Sequence, residues 1–147
     1  NDAPLAVTRL VDMGVEPFLV SATMEAVVAQ RLIRKVCTKC RTFYEPSEEA
    51  LMELELTPDQ VVGKQFAFGK GCTDCHYTGY RGRTGIYEIM TVSERIRQLI
   101  MDNVPTSRIR DAALEEGMST LRESGLRAIF DGITTIEEVV RETIATM

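Results

Sequence analysis

Long uncharged stretches are missing from this sequence. The longest run without a charged residue is eight, Pro17 to Met24, far short of the roughly 20 apolar residues a membrane-spanning helix needs. A positive charge excess is missing too: 17 basic residues face 22 acidic ones, for a net charge of −5. A chain of that balance does not hold nucleic acid by bulk charge. There is no low-complexity tract to read as a disordered tail. No signal-peptide pattern opens the chain and it does not begin with Met, so Asn1 reads as a cut point and the chain as a fragment. The phosphate-cradling G-x-x-x-x-G-K-[ST] loop is absent, as is a G-x-G-x-x-G turn after a strand. No Ser/His/Asp set or paired carboxylates stand out, and His76 is the only histidine. The expectation is a chain that does no bond-breaking chemistry unaided. What remains is ordinary globular composition, 44% hydrophobic and 27% charged.

Against that background the four cysteines carry the most information. They fall as two matched C-x-x-C turns, Cys37-Thr38-Lys39-Cys40 and Cys72-Thr73-Asp74-Cys75. Each turn offers two sulfurs to one small soft cation, and two turns complete a tetrahedral cage. Zn²⁺ is the leading reading. Two disulfides fit poorly without secretory features, and a redox dithiol needs only one pair. Cys72 to His76 also spells the c-type haem attachment string, which would leave Cys37 and Cys40 idle. A four-sulfur zinc site is structural, because no position stays open for water or substrate. Residues 41–71 separate the pairs, longer than the usual ribbon spacing, so this loop needs structure of its own.

Composition divides the chain into three. Residues 1–36 read as two helices and a strand. Asp2 is an N-cap with Pro4 in the first turn, and Gly14 is a stop. Pro17 opens a second helix whose Phe18, Leu19, Ala22, Ala26, Val27 and Val28 cover most of its surface, which predicts burial on more than one side. Arg31 to Val36 has a strand-like alternation, which Leu32 and Ile33 break. This is too little to close a core, so residues 1–36 read as the edge of a larger domain. Residues 37–90 hold all the cysteines and six of the ten glycines. Ser47 begins a short helix with Leu51 and Leu54, Thr57-Pro58-Asp59-Gln60 is a capping box, and Gly79 to Met90 is a turn leading into a strand. Residues 91–147 are helical, with caps at Ser93, at Thr106 or Ser107, at Ser119 and at Thr135, and stops at Gly117 and Gly132. Val139, Val140 and Ile144 form the apolar face of the last helix. Four short amphipathic helices predict a small bundle. The metal site is expected to organise 37–90 while the bundle stands largely alone.

Several charged residues have two readings each. Arg81-Gly82-Arg83 can grip a phosphate or carboxylate, or be a solvated Gly-rich turn pairing with nearby acids, and the second is simpler. Arg31, Arg34 and Lys35 can face a nucleotide across a subunit boundary, or discourage aggregation at a strand edge. Arg31, Arg34, Arg81 and Arg83 are therefore candidates for inter-subunit or coupling contacts. Glu137, Glu138 and Glu142 read as cap and helix-surface charges, and His76 as a surface or near-site residue.

Taken together these residues resemble a known family. Asn1-Asp2-Ala3-Pro4, Arg9-Leu10, Met13 to Phe18 and Ala29-Gln30-Arg31-Leu32 are similar to the segment after the histidine box of the type II secretion and type IV pilus assembly ATPases. The tetracysteine element, Gly79 to Glu88 and Gly132 to Val139 match the same family in the same order, end to end. The tetracysteine insert points to the assembly and secretion branch and away from retraction ATPases.

The resemblance implies a mixed α/β, helix-rich fold. Residues 1–36 would be the C-terminal edge of a RecA-like P-loop ATPase core, residues 37–90 a zinc-binding subdomain, and residues 91–147 a helical subdomain. It also implies a hexameric, cytoplasmic parent, peripheral at the bacterial inner membrane, that hydrolyses ATP with Mg²⁺ and drives pilin or pseudopilin assembly through a polytopic platform protein. The nucleotide-binding motifs of that parent lie upstream of Asn1, so none is carried over and the isolated chain is expected to be inactive. The cysteines carry over as zinc ligands. The alternative is a stand-alone zinc-ribbon module that binds a protein or nucleic acid, and the acidic charge weighs against nucleic acid.

Overall fold

The computed structural model describes residues 2–143. Asn1, Ile144 and the other residues after Thr143 lie outside the described residues. Seven α-helices and four strands follow in the order α1 (Ala3–Asp12), α2 (Pro17–Thr23), β1 (Ala26–Val36), β2 (Arg41–Tyr44), α3 (Glu48–Glu53), β3 (Phe66–Gly69), β4 (Tyr80–Thr91), α4 (Glu94–Met101), α5 (Thr106–Glu115), α6 (Leu121–Phe130) and α7 (Ile136–Thr143). The fold is mixed α/β and helix-rich. Among these helices none is long and apolar enough to cross a membrane. β1 pairs with β4, and β2 pairs with β3.

The chain divides into two compact units that do not follow sequence order. The first gathers residues up to Gln30 and Tyr87–Leu121, and the second gathers Arg31–Ile86 and the segment from Arg122.

In the first unit α1 and α2 pack on α4 and α5. Val7, Val20, Ile96, Ile100 and Ile109 are among its buried aliphatics. Residues 1–36 were expected not to close a core. The partners they need are supplied by a segment more than fifty residues downstream. Asp2 caps α1 as expected, accepting the Leu5 N–H at 3.0 Å, and Gly14 follows the helix with φ +103°. Helix α2 is shorter than expected. It ends at Thr23, Phe18 and Leu19 are exposed, and Ala26 to Val28 belong to β1. The reason is local: from Ala26 the buried and exposed positions alternate, Val27 in and Val28 out, and β-branched pairs suit a pleated surface. β1 therefore starts five residues before the expected Arg31.

In the second unit Leu51, Leu54, Phe66, Ile129, Ile136 and Val139 form the core, edged by Tyr44 and Phe130. Ser47 caps α3, accepting the Ala50 N–H at 3.2 Å, and the Thr57 N–H donates to Gln60 Oε1 at 2.8 Å. The four helices after Ser93 do not gather into one bundle. α4 and α5 belong to the first unit, and α6 and α7 to the second. Each pair puts its apolar stripe against a different core. One expected cap also differs. Helix α5 begins at Thr106 after Pro105 with no side-chain cap, and Thr106 Oγ1 bonds to Thr8 Oγ1 instead. At α6 the Leu121 N–H donates to the Glu88 carboxylate at 3.1 Å.

Candidate metal centre

β1 ends at Val36, one residue before the first C-x-x-C turn, and β2 begins at Arg41, immediately after it. β3 ends at Gly69 just before the second turn, and a 3₁₀ turn, Thr73–Cys75, carries that pair. The two turns meet because β2 and β3 are antiparallel, with Arg41 opposite Gly69 and Tyr44 opposite Phe66. Cys40 and Lys70 thereby become neighbours, and the Lys70 N–H donates to the Cys40 carbonyl at 3.2 Å. On the other side the Cys37 N–H donates to the Gly79 carbonyl at 3.0 Å. Gly69 and Gly79 make this closeness possible. A Cβ on Gly69 would lie 2.1 Å from the Gly79 oxygen, and one on Gly79 would lie 2.5 Å from the Gly69 oxygen. No side chain fits at either position.

All four sulfurs lie within 4.8 Å of one another. Cys37 Sγ is 3.7 Å from Cys72 Sγ, Cys72 Sγ is 3.7 Å from Cys75 Sγ, and Cys40 Sγ is 3.8 Å from Cys75 Sγ. A disulfide needs about 2.05 Å. A tetrahedron built on metal–sulfur distances of about 2.3 Å has an edge of about 3.8 Å. The donor set and its spacing are thus compatible with one zinc ion. All four cysteines are engaged together, and neither pair is left idle. A tetrahedral ion held by four sulfurs has no position for water, so such a centre supports structure and not hydrolysis.

Backbone donors point at two of the sulfurs. Backbone N–H groups of Gly71, Cys72 and Gly79 donate to Cys40 Sγ, Cys75 Sγ and Cys75 Sγ, each at 3.3 Å. Burial pushes the Cys75 thiol up, but the Cys72 and Gly79 N–H groups, with the Cys72 and Cys40 side chains, outweigh it and bring it down to about 6. Cys40 is pushed up to about 11, chiefly by burial and also by the neighbouring thiols, against one N–H from Gly71. That opposition is what four close sulfurs produce: negative charge on some of them raises the cost of ionising another. A divalent cation removes the conflict. His76 is exposed, lies outside the four-sulfur cluster, and takes a left-handed conformation with φ +54°.

The arginines fall elsewhere in the second unit. Arg34 donates from its backbone N–H at 2.6 Å and from its guanidinium at 3.1 Å to Glu138. It also lies 4.0 Å above the Tyr80 ring. Hydrogen bonding to Glu138 raises its pKa further. Arg81 pairs at 3.6 Å with Asp74. Together with Arg83, Arg34 and Arg81 line a shallow cavity of about 330 Å³. Arg31 is half-buried, and its Nε has no hydrogen-bond partner among the described residues.

Two glutamates were not read as structural groups from sequence. Glu138, expected on the helix surface, is only 2% exposed. Its N–H donates to Thr135 Oγ1 at 3.1 Å, half of the expected capping box, but its carboxylate turns to Arg34 and Arg141. Glu88 is also buried and accepts the Ala3 N–H at 2.8 Å and the Leu121 N–H at 3.1 Å. Strand parity would have revealed it, since Ile86, Glu88 and Met90 all occupy the inward positions of β4.

Comparison with known proteins identifies the family. The family model described as type II/IV secretion system protein matches residues 1–141. The chain is 44% identical over 144 residues to the type IV pilus assembly ATPase PilB of Thermus thermophilus, covering 98% of this chain and 16% of that protein. It is 42% identical to PilB of Myxococcus xanthus, covering 97% of this chain and 25% of the relative. Identity to the type II secretion system protein HxcR of Pseudomonas aeruginosa is 43%, covering 97% and 26%. The chain thus spans about a sixth to a quarter of the length of these relatives. With nearly its whole length matched, the chain belongs to the type II/IV secretion system protein family.

Proposed function

We propose that this chain is the coupling and assembly region of a hexameric ATPase that powers pilin or pseudopilin assembly in type IV pilus biogenesis or type II secretion. The observation that carries this reading is the match of residues 1–141 to the family, with relatives named both as pilus assembly ATPases and as type II secretion proteins. The whole polypeptide would hydrolyse ATP with Mg²⁺. It would act on the cytoplasmic side of the inner membrane, attached through a platform protein. This chain supplies none of the phosphate-binding loop, so its own residues serve shape and contact. Residues 1–36 would continue a RecA-like core, residues 37–90 would form the zinc subdomain, and residues 91–147 would complete the helical part.

In this reading Cys37, Cys40, Cys72 and Cys75 hold one Zn²⁺. The ion would lock the two turns, and with them the ends of β1, β2, β3 and β4, without a large apolar core. A motor that changes shape with nucleotide state needs stiff parts to pass the change to a neighbour. Arg31, Arg34, Arg81 and Arg83 would serve such inter-subunit or coupling contacts.

The test uses the full-length polypeptide carrying Cys37→Ser. Nucleotide binding should stay near wild type, whereas pilus assembly or secretion in a strain lacking the native motor should fall by tenfold or more. Equal loss of nucleotide binding and assembly would contradict a coupling role. Measurable ATP turnover by the isolated chain after rigorous purification would contradict the assignment of catalysis to the rest of the polypeptide.

A further inference from the structure

The module between the cysteine pairs carries a groove at the edge of the second unit's core. Its cavity measures about 430 Å³, within the range of ligand clefts. Tyr44, Leu51, Pro58, Val61, Val62 and Phe66 supply its apolar lining. These residues come from β2, α3, a 3₁₀ turn (Pro58–Val61) with the residue after it, and β3. Leu51 and Phe66 are fixed in the core of the second unit, and Pro58 restricts the backbone of the wall. The walls are therefore preformed. Val62 at the groove and Met52 on α3 are 79% and 71% exposed. A cleft with an apolar lining and a polar rim is a usual form of interaction site.

Charge tells what covers it. From Thr42 to Gly63 there are six carboxylates, Glu45, Glu48, Glu49, Glu53, Glu55 and Asp59, and no basic residue. This stretch alone sums to −6 in a chain of −5, leaving +1 for the rest. All six are exposed, and none forms an ion pair among the described residues. Glu45 and Glu48 sit on the groove itself. Lys64, which also lines the groove, lies 5.2 Å from the centre of the Phe130 ring.

We propose that this groove seats a short segment of a partner protein with one or two large apolar anchors flanked by Lys or Arg. The anchors would fill the cleft between Tyr44, Val61 and Phe66, and the flanking cations would meet Glu45 and Glu48. Rim charges of this sort set partner choice and association rate, and desolvated anchors supply most of the affinity. The inference extends the coupling reading by giving the chemistry of what is coupled.

The test is a selection of random twelve-residue peptides displayed on phage against the 147-residue chain. Enriched sequences should pair Leu, Ile, Phe or Met with at least two Lys or Arg. The winning peptide, synthesised with a fluorophore, should bind with an affinity that falls about tenfold or more in Glu45→Lys/Glu48→Lys and in Val62→Asp. Val62 and both glutamates are exposed, so thermal unfolding of the variants should match wild type, which separates lost binding from lost folding. Enrichment of acidic or uncharged peptides, or binding indifferent to these variants, would overturn the proposal. So would concentration-dependent self-association of the chain that Val62→Asp abolishes, which gives the groove to a second copy. Repeating the selection on the full-length polypeptide gives one more decisive outcome: complete loss of enrichment there assigns the groove to another segment of the same chain. Any of these failures leaves the coupling reading standing, because that reading is decided by nucleotide binding and assembly in the Cys37→Ser motor.

Discussion

Among the described residues the first unit gathers nearly all its buried apolar side chains into one cluster, whereas the second has a cluster around Leu51, Phe66 and Val139 and further buried aliphatics, Ile33, Val36 and Ile86, outside it. The first unit is helix on helix, with aliphatic side chains from α1, α2, α4 and α5 closing over one another. The second spends its sequence differently: four cysteines, glycines pressed backbone to backbone, and a buried Glu138 tied to two arginines. Burying apolar area stabilises at roughly 25 cal/mol per Å²; the stretch that carries the cysteines, residues 37–85, buries Leu51, Leu54, Phe66 and Ala67 besides its cysteines, so it needs another source. Four converging sulfurs holding a metal ion would provide it.

The largest effect should come from removing a sulfur. The wild-type chain purified without chelator should carry about one equivalent of zinc. Cys37→Ser leaves three thiolates and should weaken zinc binding by at least a hundredfold, read by competition with a chromogenic chelator. A metal-free wild-type chain that is fully folded would remove the contrast between the units.

Next come the two buried glutamates, one in each unit. Glu88→Ala strands the N–H groups of Ala3 and Leu121 in the first unit, and should cost about 3 kcal/mol in urea unfolding. Glu138→Ala strands one backbone N–H, that of Arg34, and frees the Arg34 and Arg141 guanidinium groups, which are partly exposed and can turn to water. Its cost should be smaller, about 2 kcal/mol. Added salt should narrow the Glu138 effect more than the Glu88 effect, because charged partners are screened and backbone donors much less so. The smallest expected change is Ser93→Ala at the start of α4. Ser93 Oγ accepts the Ile96 N–H at 3.2 Å, and losing this cap should cost about 1 kcal/mol of the first unit's stability.

Local signals were legible where a residue acts on its near neighbours. The caps at Asp2, Ser47 and Ser93, the stops at Gly14, Gly117 and Gly132, and the four-sulfur set follow from spacing alone. Grouping was not legible, because it depends on pairings far apart in the chain. The β2–β3 hairpin is four residues on each side, too short to show a period, and its strands are 21 residues apart. The helices after Ser93 look like one set by periodicity, yet α4 and α5 pack on α1 and α2, while α6 and α7 pack on residues such as Leu51 and Phe66. Glu138 looked like a cap residue because helix position shows the near partner, Thr135, and not the distant one, Arg34. At the metal centre the cysteines were visible, but the Gly71 and Gly79 N–H donors and the Gly69–Gly79 contact required coordinates.

The most direct measurement is amide hydrogen exchange of the chain before and after zinc is stripped by a chelator. If metal organises the second unit and apolar packing the first, protection should fall across residues 31–86 and across α6 and α7, while α1, α2, α4 and α5 stay protected. Uniform loss across residues 2–143 would show one cooperative core dependent on metal. Loss confined to the residues around Cys37–Cys40 and Cys72–Cys75, with α6 and α7 untouched, would show that the second unit stands without it.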